Sequence, residues 1–179
     1  MMTNENPLDK LTASFEPGNS TQGTATYRHP DEGAQLQQAY ALLQQSATGN
    51  ELLQFAQQNQ IAVRMIKNKN ATGYIPQSKT IYIGTPVNGA VSTPMLALLV
   101  AGAIREAQQE LKGFMPPDET KDLQQHLTIN HAKRADVLYY QCAVAYEVSE
   151  TGDNKEILDE MRKIGHGLID IYIDERLRG

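Results

Sequence analysis

Thr93-Pro94-Met95-Leu96-Ala97-Leu98-Leu99-Val100-Ala101-Gly102-Ala103-Ile104-Arg105-Glu106-Ala107-Gln108-Gln109 is the stretch on which the fold turns. Thr93 offers an N-cap, and Pro94 a first helical residue whose φ is already set for the helix. The run from Met95 to Ile104 is apolar on every side, so these turns belong inside a core. The helix then narrows to a stripe of Leu96, Val100, Ala103, Ala107 and Leu111, and Gly113 with Pro116-Pro117 stops it. The run is well short of the roughly 20 apolar residues that span a bilayer. A helix buried all round needs other elements about it, and the flanking sequence supplies them.

Ahead of it the apolar period is two. Ile61, Val63 and Met65 alternate with Ala62, Arg64 and Ile66 as in a strand, and Lys67-Asn68-Lys69-Asn70 reads as a turn. Thr72–Ile75 and Lys79–Ile83 are two further short strands around Pro76-Gln77-Ser78, and Thr85–Gly89 is a loop. The three strands predict a small, mostly antiparallel meander. Further upstream, Leu36, Ala39, Tyr40 and Leu43 recur at helical spacing in a helix beginning at Pro30-Asp31. Gly49-Asn50 is expected to end it, and Glu51–Gln58 to form a short second helix. Residues 1–30 are polar, with little apolar periodicity, and read as a flexible tail.

Downstream, a long helical region covers Asp118 to Glu150, with a bend expected near Thr128-Ile129-Asn130. A last helix starts at Asp153, where Asp153 and Glu156 make a capping box, and turns Leu158, Met161, Gly165, Leu168 and Tyr172 inward. The expected class is α+β: one domain over residues 31–179, with a small antiparallel β-meander packed on a mainly helical body.

The 179 residues carry a net charge of −5, with a pI near 5.4, which argues against general affinity for nucleic acid. No basic amphipathic stretch points to a membrane surface. The N-terminal residues lack the basic and apolar regions of a secretory signal. Cys142, the single cysteine, cannot close an internal disulfide and fits a reducing cytosol. Its neighbours Tyr140, Ala143 and Val144 make it a small buried hydrophobe rather than a nucleophile. No Gly-x-Ser-x-Gly context or phosphate-cradling glycine loop appears.

In the long helical region Leu123, Leu127, Leu138, Cys142 and Ala145 lie on one face, and the stripe takes in His131 and Arg134. A charge on such a face needs an acidic partner or a path to water. Glu106, on the face of Leu99, Gly102 and Ala103, is the nearest obvious carboxylate. The alternative is that both residues sit at helix rims and are solvated. His126 and His131 are five apart and turn to different faces, His166 lies between two glycines, and His29 falls in the tail.

The elements from Thr80–Ile83 through the helix at 94–112 to the helix bearing Arg134-Ala135-Asp136 resemble a family of uncharacterised bacterial metallopeptidase-like domains, which look like minimal zincins. Their first helix reads Ala-His-Glu-Leu-Arg-His-Ala-x-Gln. Their later helix reads Glu-Ala-Asp-Ala and then Gln-x-x-x-Ala-x-Glu-x-x-x-x-Gly. This chain has Ala101-Gly102-Ala103-Ile104-Arg105-Glu106-Ala107-Gln108-Gln109, then Arg134-Ala135-Asp136-Val137, then Gln141 through Glu147 to Gly152. The likeness covers roughly residues 50–152.

The departures fall on the metal site. A zinc peptidase needs two imidazoles at i and i+4, with a glutamate between them as general base. The resemblance puts Gly102 and Glu106 at the two His positions, Ala103 at the base and Arg134 at the third ligand. It therefore implies a zincin-like scaffold without its metal or any other cofactor, in which Glu106 and Arg134 meet where zinc would have been. Restoring His, Glu, His and Glu at these four positions is expected to rebuild the site.

The first functional expectation is an inactive zincin-like domain that binds a peptide or protein partner, with Lys79–Ile83 as the strand edge that accepts it. A second is a hydrolase with a displaced metal site built from His131, Glu106 and Asp136. A third is a helical structural or assembly protein. Neither nucleic acid nor membrane is an expected partner.

Overall fold

The computed structural model describes residues 30–67, 72–86, 91–113, 123–152 and 154–178. Their elements are α1 (Pro30–Leu43), α2 (Ala47–Gln58), β1 (Ala62–Lys67), β2 (Gly73–Ile75), β3 (Thr80–Thr85), α3 (Thr93–Leu111), α4 (Leu123–Thr151), α5 (Glu156–Gly165) and α6 (Leu168–Arg178). This is a mainly helical α+β arrangement. Several readings fall outside the described residues: most of the tail, including His29; the turn at 68–70; the loop at 87–89; Pro116-Pro117; residues 118–122; and Asp153 of the capping box. Among the described residues no helix is long and apolar enough to cross a membrane.

α3 is the centre, as its apolar first turns require. Leu96, Ala97, Leu98, Val100, Ala101, Gly102, Ala103, Ile104 and Ala107 are all buried. The cap sits one residue earlier than the sequence reading placed it: the Ser92 side chain accepts from Met95 N at 3.2 Å. α1, α2, α4 and α5 pack around α3, the sheet lies against it, and α6 packs on α4 and α5. At α2 the cap is Ser46, whose Oγ accepts from Gly49 N at 2.8 Å. Gly49 thus lies in the first turn of α2 and does not end α1. α4 runs unbroken through Thr128–Asn130.

Two larger readings are also corrected. The sheet is not an antiparallel meander. Its order is β1-β3-β2, with β1 parallel to β3 and β2 antiparallel to it. The physical signal lies in β3 itself. Thr80, Ile81, Ile83 and Thr85 are buried, and a strand buried at nearly every position has neighbours on both edges. β2, with Ile75 exposed, is an edge. The Pro76–Ser78 turn and a left-handed Lys79 (φ 47°) bring the chain back into the middle.

The last helix is two helices. His166 (φ 48°) and Gly167 (φ 88°) both take the left-handed conformation and end α5, a conformation that breaks a helix even where the apolar stripe runs on. Met161 and Gly165 are buried as expected, while Leu168 is 43 % exposed.

Candidate functional site

α3 and α4 pack in antiparallel sense, and of the residues singled out from the motif their seam holds Gly102 and Asp136. Gly102 faces α4 with no room for a side chain. A Cβ built there would stand 2.6 Å from Gln141 Nε2, 3.0 Å from its Cδ and 3.3 Å from Val137 Cγ1. Gln141 is 5 % exposed and donates to the Leu98 carbonyl at 2.8 Å. The space an imidazole would need at 102 is therefore filled by a hydrogen-bonded glutamine from the facing helix. Ala103 is buried beside it.

One turn further on, the two helices are tied by charge. Arg105 donates from Nε to Asp136 Oδ2 at 2.6 Å and from Nη2 to Oδ1 at 2.9 Å, a bidentate pair. Its Nη1 donates to Gln108 Oε1. The guanidinium lies 3.9 Å from the centre of the Tyr140 ring, a stacking that suits its planar, weakly hydrated charge. Gln109 Nε2 reaches the Lys133 carbonyl at 3.1 Å and Asp136 Oδ2 at 2.6 Å. The Arg105 hydrogen bonds first, then the bond from Gln109, hold the Asp136 carboxyl below its usual range against the opposing effect of burial.

Glu106 and Arg134 do not form the expected ion pair, and His131 does not join them. All three are exposed. Register explains this. Arg105 occupies the seam, and the next residue on a helix is turned about 100° away. Glu106 feels Lys133 and Arg134 only through space. Desolvation of its carboxyl nevertheless raises its pKa above the usual range, with Glu110 adding to the rise and the two cations opposing it. Of the two pocket candidates, Asp136 is in the seam and His131 is outside it.

The strand edge is also reassigned. β3 is paired on both sides, so Lys79–Ile83 cannot accept another strand. The edge against α3 is β2. Tyr74 of β2 shares a face with buried Ile81, its register partner. Its hydroxyl is buried without a hydrogen-bond partner, as is Gln109 Oε1. β2 packs against α3, and burial first, then the charge of Glu110, raise the Tyr74 pKa.

Two contacts complete the scaffold. Glu147 of α4 accepts from Thr48 N at 2.8 Å and Thr48 Oγ1 at 2.7 Å, capping α2 from another helix. Cys142 is 2 % exposed, and burial pushes its thiol pKa up to about 11, as for an inert core cysteine.

A zincin metal does not fit this seam. The first ligand position has neither a side chain nor room for one, Asp136 is committed to Arg105, and Glu106 and Arg134 diverge. Among the described residues no three of His, Cys, Asp and Glu are grouped to hold an ion. Sequence reasoning missed Arg105, Gln109, Gln141 and Glu147 as the residues that join elements. The signal that could have found them was the resemblance itself, in which all four match the family's runs.

No family model matches the chain, and searches of curated proteins and of solved structures likewise find no match.

Proposed function

We propose that this chain is a zincin-like domain without a metal site, acting by binding an extended peptide or protein segment. The supporting observation is how the resemblance divides. The polar residues shared with the family's runs are Arg105, Gln109, Asp136, Gln141 and Glu147, and each makes a hydrogen bond between two elements. The positions that depart are those of ligand and base: Gly102, Ala103, Glu106 and Arg134. A scaffold kept with its chemistry removed is what a binding role requires.

The partner would pair with the outer edge of β2, beside Tyr74 and Glu110, as an added strand. Main-chain hydrogen bonds supply affinity there. A cytosolic location fits the lone buried thiol.

Selection from a random peptide library, followed by titration, tests this. Successive residues of an edge strand turn their N–H groups alternately inward and outward. One of Gly73→Pro and Tyr74→Pro therefore strips the free edge and should abolish binding while circular dichroism stays unchanged. Binding that survives both folded variants would remove the edge from the proposal. One zinc per chain surviving dialysis would overturn the metal-free reading.

A further inference from the structure

The stripe that α4 turns to the core does not stop where α3 ends. It is buried at Val137, Gln141, Ala145 and Val148, and the same helical face continues through Arg134, Asn130, Leu127 and Leu123. Gln109 already lies against Lys133, and α3 ends at Leu111. The first turns of α4 therefore stand past the end of their packing partner. Leu123 is 72 % exposed, Leu127 51 % and Leu111 48 %. A helical stretch without a buried face gains little from tertiary packing, and large apolar side chains left open in line are a surface to be covered.

Charge narrows the choice of cover. From Leu123 to Arg134 the helix carries Lys133, Arg134, His126 and His131 and no acidic residue, in a chain of net charge −5. Glu106 lies near the two cations. A second copy docked through this same face would bring like charge against the stretch. The sequence ahead of α1 holds a complementary segment: Leu8, Leu11 and Phe15 at i, i+3 and i+7, with Glu5, Asp9 and Glu16 against the single Lys10. Pro17 to His29 link it to α1, 13 residues that reach roughly 43 Å when extended. That is about the length of α4 itself. Leu168 and Ile171 on α6 are also exposed, but the charges beside them are already paired within the C-terminal helices, Arg162 with Asp170 and Arg178 with Asp174.

We infer that Leu8, Leu11 and Phe15 of this chain cover Leu123 and Leu127 on α4, with the neighbouring acidic residues set against Lys133 and Arg134. The inference does not depend on the cleft binding a peptide.

Amide hydrogen exchange on the full chain tests it. Leu8→Asp with Leu11→Asp should speed exchange at 123–131 on the order of tenfold. Residues 141–148 should be unchanged, which controls for the fold. Reversing Glu5, Asp9 and Glu16 to Lys should have the same effect, and Lys133→Glu with Arg134→Glu in that chain should restore protection. Exchange at 123–131 that is identical with and without the tail substitutions would overturn the inference. So would protection that grows with protein concentration, which would put a second copy on this face.

Discussion

At Gly102 a neighbour on another helix decides the sign of adding one methyl group. Helix propensity alone favours alanine over glycine by roughly 1 kcal/mol. The Gln141 amide stands in the way, and moving it breaks its buried bond to Leu98, at about 1–3 kcal/mol. Gly102→Ala should therefore destabilise by about 1 kcal/mol in thermal or urea unfolding. In a Gln141→Ala background the same substitution should become neutral or stabilising. The four-residue restoration of a zinc site meets the same obstacle with a larger side chain, and it should bind zinc only if Gln141 is also shortened.

The charges nearby follow from exposure and pairing. Arg105→Ala and Asp136→Ala should show a coupling of about 1–2 kcal/mol in a double-mutant cycle, since they share one network. Glu106→Ala and Arg134→Ala should be additive, with effects under about 0.5 kcal/mol. The two carboxylates respond oppositely to pH. The folded-state pKa of Asp136 is depressed, so its contribution is present above the unfolded value near 3.9 and is lost as pH falls through the folded value. The folded pKa of Glu106 is raised, so it favours folding below the unfolded value near 4.3 and loses that as pH rises. Glu106→Gln should thus stabilise slightly at pH 7, by well under 1 kcal/mol for so solvated a side chain. The gain should vanish in acid.

Among the elements, α2 depends most on a remote residue. Its cap Ser46 is local, but Thr48 N and Oγ1 both donate to Glu147, 99 residues away. A carboxylate at a helix N-terminus also meets the positive end of the helix dipole. Glu147→Ala should cost about 1–2 kcal/mol, and exchange should quicken first in the opening turn of α2. Such links explain what was legible in the sequence. Helix positions, the burial of α3 and the alternation of β1 follow from local periodicity, and all were readable. Strand order was not, because three short strands give no register and the return of the chain into the middle depends on Lys79 and on packing against α3. The break at His166–Gly167 was hidden by an apolar stripe that runs across it. The seam pairing was missed because neighbouring residues compete for it: Arg105 and Glu106 differ by one position, and only the crossing of the two helices selects between them.

For the whole molecule, the absence of a fitting ligand set gives a plain expectation. Purified protein should hold no stoichiometric zinc by elemental analysis, and chelators should leave its melting temperature unchanged. A chelator-sensitive melting temperature would mean that metal contributes to the fold.

Cys142 gives the chain an internal clock. It is the single thiol, set in α4 next to Gln141 and closed off from solvent. Burial holds it protonated far above neutral pH, so an alkylating reagent meets a reactive thiolate only in the moments when α4 lifts from the core. At saturating reagent the labelling rate becomes the opening rate of the seam, and at low reagent it reports the opening equilibrium. The same residue can rank seam variants without any added probe, with Arg105→Ala labelling faster than Arg134→Ala. A binder that locks α3 against α4 would register as a slowed reaction at an atom it never touches.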